Sequence, residues 1–516
     1  MITNFYKKRI IQTYLKLQER KNFNLIRNFK KELEQKVLTS VKNKSSYYNY
    51  ELAVRQYYLN AFGFYRLDKI LLYHLATGKR IFFYPIPPEH ISIYKKNGFK
   101  VFPLTCYLTL YFLSIGLYFR GISFYISYVR RALFKSGASI TKKYVYFDKL
   151  TENNLPVQKC GYDSFDVITW FIKWKKTNIG VIGHNVKSSL KSYTHLDKEI
   201  VKLDDPFPLQ KLRKKKFFLK TIIFFLKTFF YTLVGKWYSG FMTKEVLDQL
   251  ILECLEKKDL AEHYLFYNSI TFYRPLWTYV AEKKGADIIS YFYSGGKTIH
   301  TPKFTSYSEY ISLMNWPLIL VWDTYFKDVL KQDINKTTKI EVVGSIDFSF
   351  KNVDIPSSNK QILSLFDSPP IDLNQHLGFT TSNELALYKE EYHIKFLSDL
   401  IEMGEKYNLD VYIKPKRSNT INIPKNYLNY LEEISKKPNV VILNGDLSAK
   451  KLIKLSTYNV SFPFTSTAII GKELNKKSLY YSPTTLVSLS DKGCSGVDFV
   501  NTKTGLIEWF KQNHPV

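Results

Sequence analysis

Hydroxyl side chains crowd one short segment, Ser461–Ala468 (SFPFTSTA). The segment ends an apolar run, 458–464, that reads as a strand, and it opens a helical pattern at 466–474. A helix start offers unpaired N–H groups and the positive end of the macrodipole. Thr465, Ser466 and Thr467 add their hydroxyls there, after a turn shaped by Pro463 and Phe464, and this combination predicts a phosphate site. The plainer alternative is a helix cap, which needs a single hydroxyl. A second segment, KPKRS, brings Lys414, Lys416 and Arg417 into a turn at the end of the strand pattern 409–416. Arginine suits bidentate phosphate contact and lysine point-charge contact, against the alternative of a solvated basic loop. Asp367, in FDSPP (366–370), follows a third strand pattern and is a candidate to orient a ribose, contact an acceptor or cap a turn.

The first half of the chain offers a second set. Asn268 ends one strand pattern, and Ser294, Gly295 and Gly296 end the next, which makes them candidate acceptor-side loops. His184 sits between Gly183 and Asn185 at another strand end and is a candidate general base. Cys106, Cys160, Cys254 and Cys494 are widely separated, with no CxxC pair, so neither a zinc site nor a disulfide framework is expected. No DxD-type metal site is visible, and no cofactor is expected beyond an activated substrate.

These residues need strands to hold them. Residues 1–78 read as a helical extension. From Lys79 the pattern changes to strand (KRIFFYPI), helix (PPEHISIYKKNG) and strand (FKVF), a β-α-β unit. Strand patterns recur at 144–147, 179–183, 263–268, 286–293, 318–322 and 339–344, with helices at 163–174, 247–255 and 274–284. After a polar linker at 349–360, a second alternation runs from 361 to 485, with helices at 385–407, 424–436, 448–456 and 466–474. The fold class is therefore α/β, with two Rossmann-like doubly wound domains facing a cleft: 79–348 and 361–516, the former carrying a basic amphipathic insert near 205–240. Ligands in such sheets sit at the carboxyl ends of the strands, where every candidate above lies.

The chain has 516 residues, more than one core accommodates, and a net charge of +30. That charge favours anionic partners, yet no zinc finger, RNA-recognition signature or basic zipper is present, so nucleic acid is not an expected partner. The first residues lack the uninterrupted apolar core of a secretory signal, and the cysteine pattern fits a reducing cytoplasm. Leu104–Phe119 is uncharged but shorter than a bilayer span, and it reads as a buried core helix. Phe217–Tyr238 carries Lys220 and Lys227 on one helical face after the basic run 211–216. It fits an interfacial helix on an anionic membrane surface or a core helix with an exposed lysine stripe.

SFPFTSTA followed by KSLYYSP resembles the bacterial polysaccharide-biosynthesis proteins named for their PFTS motif. FDSPP, FLSDL (396–400), KPKR and the upstream stretch 273–296 occur in that family's order, so the resemblance covers roughly 260–485. One departure is visible: YSGG (293–296) stands where the family would carry YSTN. A looser resemblance reaches the two-domain GT-B glycosyltransferases. It implies a metal-independent transferase with a nucleotide-sugar donor and a glycan or lipid-linked glycan acceptor, cytoplasmic or peripheral at the inner membrane face. KPKR would stand in the His-Pro loop's place and PFTS in that of the Ser/Thr-rich helix start. A CDP-linked polyol-phosphate donor, or a non-catalytic role in assembly, are the alternatives.

Overall fold

The computed structural model describes residues 67–134, 142–148, 166–175, 179–187, 192–203, 205–267, 274–292, 314–334, 336–345, 354–370, 389–416, 423–445 and 447–514, with a few isolated positions besides. Arg417, Asn268, Ser294, Gly295 and Gly296 lie outside the described residues.

The chain's first described elements are α1 (Leu67–Thr77), α2 (Ile91–Lys96) and the long α3 (Pro103–Phe134). The expected β-α-β unit at 79–102 is reduced to one parallel bridge, Ile81 to Val101, outside both sheets. Ile81, Tyr84, Tyr94 and Phe99 instead close a small separate core with Trp237 and Phe241.

An eight-stranded sheet follows, in the order β3-β4-β2-β1-β5-β6-β7-β8. Its strands are β1 (Tyr144–Asp148), β2 (Val181–His184), β3 (Ser192–His195), β4 (Lys198–Lys202), β5 (His263–Tyr267), β6 (Asp287–Tyr291), β7 (Leu318–Val321) and β8 (Lys339–Val342). All neighbours pair in parallel except β3 with β4. β5 (HYLFY) is buried at every position, as a central parallel strand covered on both faces must be. α4 (Val167–Lys175) covers one face. α5 (Lys214–Leu233), α6 (Trp237–Phe241), α7 (Thr243–Glu253), α8 (Trp277–Lys283) and α9 (Thr324–Asp333) complete this half, and all but α6 contribute to the core on the other face.

The second sheet has the order β11-β10-β9-β12-β13-β14 and is parallel throughout. It comprises β9 (Ile362–Asp367), β10 (Asp410–Pro415), β11 (Val440–Ile442), β12 (Tyr458–Ser461), β13 (Lys477–Tyr481) and β14 (Asp498–Val500). Its helices are α10 (Glu390–Lys406), α11 (Lys425–Ile434), α12 (Ala449–Leu455), α13 (Ser466–Glu473) and α14 (Lys503–Asn513). The two sheets are the paired doubly wound units expected from the sequence.

One helix departs from expectation. The segment Leu104–Phe119 is not a buried core helix. It is the first half of the 32-residue α3, and Phe112 and Phe119 are 66% and 59% exposed. Only a stripe through Cys106, Leu110, Ser114, Tyr118, Gly121 and Tyr128 is buried.

Candidate functional site

β10, β9 and β12 are neighbours and run in parallel, so their carboxyl ends leave one edge of the sheet. Pro415 is level with Asp367, and Ser461 with Phe366. Residues 414–416 and the PFTS segment are thus separated by one intervening strand, about 10 Å at the usual strand spacing. The described members of the predicted donor set leave a common edge in this way.

The PFTS turn is built by polar contacts beneath it. Thr465 is the N-cap of α13, yet its side chain makes no capping bond to the helix amides. Its hydroxyl lies 3.1 Å from the Phe462 carbonyl, to which it donates, and 3.0 Å from the Thr467 hydroxyl. The Thr467 hydroxyl is also 2.8 Å from that of Ser461. Two of the three expected phosphate-binding hydroxyls are therefore committed to the turn. No hydrogen bond of the Ser466 hydroxyl is found among the described residues, and Ser466 is half-buried at the first position of α13. The helix start is left without a side-chain cap, which favours an anion there over the capping alternative.

α13 is clamped from below. Asn459 donates to the Thr467 carbonyl at 3.0 Å and to the Ser478 hydroxyl at 2.7 Å. The Tyr480 hydroxyl donates to the Thr465 carbonyl at 2.6 Å. A Cβ on Gly471 would fall 2.1 Å from both Asn459 Nδ2 and Ser478 Oγ, so only glycine lets the helix lie this close to the sheet. Phe464 and Pro463 belong to the turn: Pro463 is buried, and the half-buried Phe464 packs on Tyr480 and Phe499.

The other candidates divide. Lys416 is exposed one residue beyond β10, at the site edge. Lys414 is buried and donates to the carbonyls of Gly445 at 2.9 Å and Pro415 at 3.1 Å, so it ties loops together where a phosphate contact was expected. Asp367 is corrected more strongly. Its carboxylate is almost wholly enclosed: one oxygen lies 2.7 Å from His393 Nδ1, and the other accepts from the Tyr427 hydroxyl. His393 Nε2 faces the Leu387 carbonyl at 3.1 Å, and the ring stacks on Phe462 at 4.2 Å. Asp367 is an anchor under the site edge, enclosed and bonded on both oxygens. Burial, then the Asp367 charge, raises the Tyr427 hydroxyl pKa well above its usual value, which keeps it a donor.

His184 is likewise corrected. It ends β2 but is fully enclosed, and its Nδ1 accepts the Val186 amide at 3.2 Å. That bond leaves the proton on Nε2, so the ring has no lone pair with which to take one from an acceptor. Burial, with a smaller contribution from the Lys202 charge, pushes its pKa down to about 4. A carboxylate at the same edge is Asp148, half-buried at the end of β1 and 3.1 Å from the Asn185 amide that donates to it. Asp148 is not among the residues singled out from the sequence; its place one residue beyond the level of His184 follows from the β1–β2 register.

The site lies where the halves meet. Ala468, Ile469, Tyr480, Cys494 and Val497 share one buried cluster with residues of the first sheet, among them Leu265, Tyr291, Leu320 and Trp322. Ser345 donates to the Glu473 carboxylate, and Lys472 donates to the Gly496 carbonyl at 2.8 Å while lying over the Tyr325 ring. Among the described residues no three His, Cys, Asp or Glu side chains converge as metal ligands would.

Two parallel α/β domains joined across an uncapped, hydroxyl-bearing helix start define a two-domain architecture of the GT-B type. The chain belongs to the polysaccharide biosynthesis PFTS motif family, whose model matches residues 217–510. Among solved structures it is similar to the sucrose-phosphate synthase of Thermosynechococcus elongatus, at 8% identity and TM-score 0.39 over 72% of this chain and 89% of that one. It is similar to the UDP-GlcNAc 2-epimerase of Methanocaldococcus jannaschii, at 12% identity and TM-score 0.38 over 72% and 92% of the two chains. It is also similar to the wall teichoic acid polymerase TagF, at 11% identity and TM-score 0.37 over 78% and 88%. No curated protein sequence matches this chain.

Proposed function

We propose that the chain transfers a sugar from a nucleotide-activated donor to a glycan or lipid-linked glycan acceptor in polysaccharide synthesis. The observation that carries this reading is the uncapped start of α13, with the Ser466 hydroxyl beside it and Lys416 on the same sheet edge. Such a constellation stabilises a departing diphosphate through N–H donors, one hydroxyl and a cation already in place. In this reading the donor lies across the β10-β9-β12 edge, with its phosphates on α13 and Lys416, and Arg417 adds a second cation. The acceptor approaches from the first sheet. As its oxygen bonds to the anomeric carbon, the bond from that carbon to the diphosphate oxygen breaks. Asp148 takes the acceptor's hydroxyl proton, and the diphosphate leaves with the electron pair. In this reading no metal ion and no cofactor takes part.

A thermal-shift screen against CMP, CDP, UDP, GDP and their sugar conjugates tests the reading, because a ligand of the native state raises the melting temperature by mass action. Stabilisation by one nucleotide family is expected. A shift with CDP-linked polyols and none with any sugar nucleotide would replace the sugar donor with a polyol-phosphate donor. No shift with any nucleotide would remove the enzymatic reading.

A further inference from the structure

α3 and α5 lie antiparallel against each other. Tyr118 packs on Phe225 and Phe229, and Tyr125 packs on Phe217 and Phe218, while Gly235 beyond the end of α5 meets the Tyr107 hydroxyl near the start of α3. Both helices rest on α6 and α7. α5 turns Phe217, Thr221, Phe224, Thr228 and Thr232 inward, and α3 buries the stripe already described.

Their opposite faces are apolar and uncovered. On α3 the exposed residues Phe112, Phe119, Ile126 and Leu133 recur every seven positions, which keeps them on one face. On α5 Leu219, Ile222, Leu226, Phe230 and Leu233 follow at intervals of three and four, which also keeps them on one face, with Leu219 63% exposed. Contiguous apolar surface of this extent marks an interaction site. Its charge selects the partner. Neither helix contains an Asp or Glu, whereas they carry Arg120, Arg130, Arg131, Lys214, Lys215, Lys216, Lys220 and Lys227. Lys216, Lys220 and Lys227 fall along the flank of the α5 apolar stripe, and Arg213 precedes it. Acids of neighbouring elements pair with part of that rim, Asp205 with Arg131, Glu253 with Lys220 and Glu256 with Arg213, and an apolar face with this basic rim is what an anionic bilayer surface complements.

We propose that the outer faces of α3 and α5 together seat the protein in the interface of an anionic membrane, with both helices lying in its plane. α3 has the length and hydropathy of a membrane span. Its packing argues for lying flat: the buried stripe extends along most of the helix, and a Cβ on Gly121 would stand 2.3 Å from the Thr243 side chain. A helix packed along one side against its own domain cannot be surrounded by lipid.

Co-sedimentation of the full chain with phosphatidylcholine vesicles, with and without phosphatidylglycerol, tests the proposal and needs no nucleotide, so it is independent of the transferase reading. Wild type should sediment with the anionic vesicles and release as salt rises. The pair Leu219→Glu and Leu226→Glu, and the pair Phe112→Glu and Phe119→Glu, should each weaken sedimentation at least about tenfold. Lys214→Glu, Lys215→Glu and Lys216→Glu together should abolish the preference for anionic lipid. Leu428→Glu, at an exposed apolar position on the second domain, should change nothing. Sedimentation of the apolar-face variants at wild-type level would overturn the proposal. So would a wild type that ignores vesicles but forms a dimer which Leu219→Glu dissociates, since the face would then join two copies. If a face variant unfolds, the lysine variants, altered only at exposed positions, still decide.

Discussion

Replacing Asp367 with alanine separates an anchor from a reactive group. The carboxylate meets His393 at 2.7 Å and accepts from Tyr427, and both its side chain and that of His393 are almost fully enclosed. His393 faces the Leu387 carbonyl at its other nitrogen. An alanine offers no polar atom, so Tyr427 and His393 each lose a buried partner. A buried polar group left without its partner costs about 1–3 kcal/mol, and two such groups place Asp367→Ala at about 3 kcal/mol or more. Urea unfolding followed by circular dichroism should show a lower midpoint. His393→Gln should cost a similar amount, and the double variant little more than either single one, because the two residues form one unit. A variant with the wild-type midpoint and no transfer activity would refute this reasoning and return Asp367 to the reacting centre.

Three further outcomes follow from the structure. Gly471→Ala should destabilise the second domain by about 1–3 kcal/mol and weaken nucleotide binding, since the new methyl group displaces α13 from Asn459 and Ser478; calorimetry and a binding titration check both. His90 and His184 have folded-state pKa values pushed from 6.5 to about 4, by burial first and then by the Lys36 and Lys202 charges respectively. The unfolded chain binds protons at higher pH than the folded one, so their contribution is full above pH 6.5 and is lost as pH falls toward 4, on the order of 3 kcal/mol each. Urea midpoints should fall across that window, and a His90→Gln, His184→Gln double variant should flatten the fall. Asp148→Asn should remove transfer while leaving nucleotide affinity unchanged, which a titration beside a product assay would show.

The strands that set the site edge were legible because they are buried on both faces and read as mostly apolar runs, as ILSLFD and HYLFY do. The β3–β4 hairpin was not, because its turn uses Leu196 and Asp197 at positive φ, where the readable signal would be Asn-Gly or Asp-Gly. The position of the PFTS helix start was also legible, from hydroxyls after a strand. Which hydroxyls stay available was not, because the Thr465–Thr467 and Ser461–Thr467 contacts depend on the turn's path. Asp367 and His184 were misread for a common reason. Strand-end position is visible in sequence, but the direction in which a side chain is enclosed depends on helices distant in the chain, such as the one that brings His393 to Asp367.

The proposed transfer depends first on the start of α13 as a diphosphate site. Isothermal titration of the nucleotide identified by the thermal-shift screen, into wild type and Ser466→Ala, measures it. The hydroxyl engages no other group among the described residues, so its loss should leave the melting temperature unchanged. Nucleotide affinity should fall by ~1–3 kcal/mol, the cost of a lost charge-assisted hydrogen bond. Equal affinity in the two proteins, with Lys416→Ala also binding as wild type, would contradict the assignment.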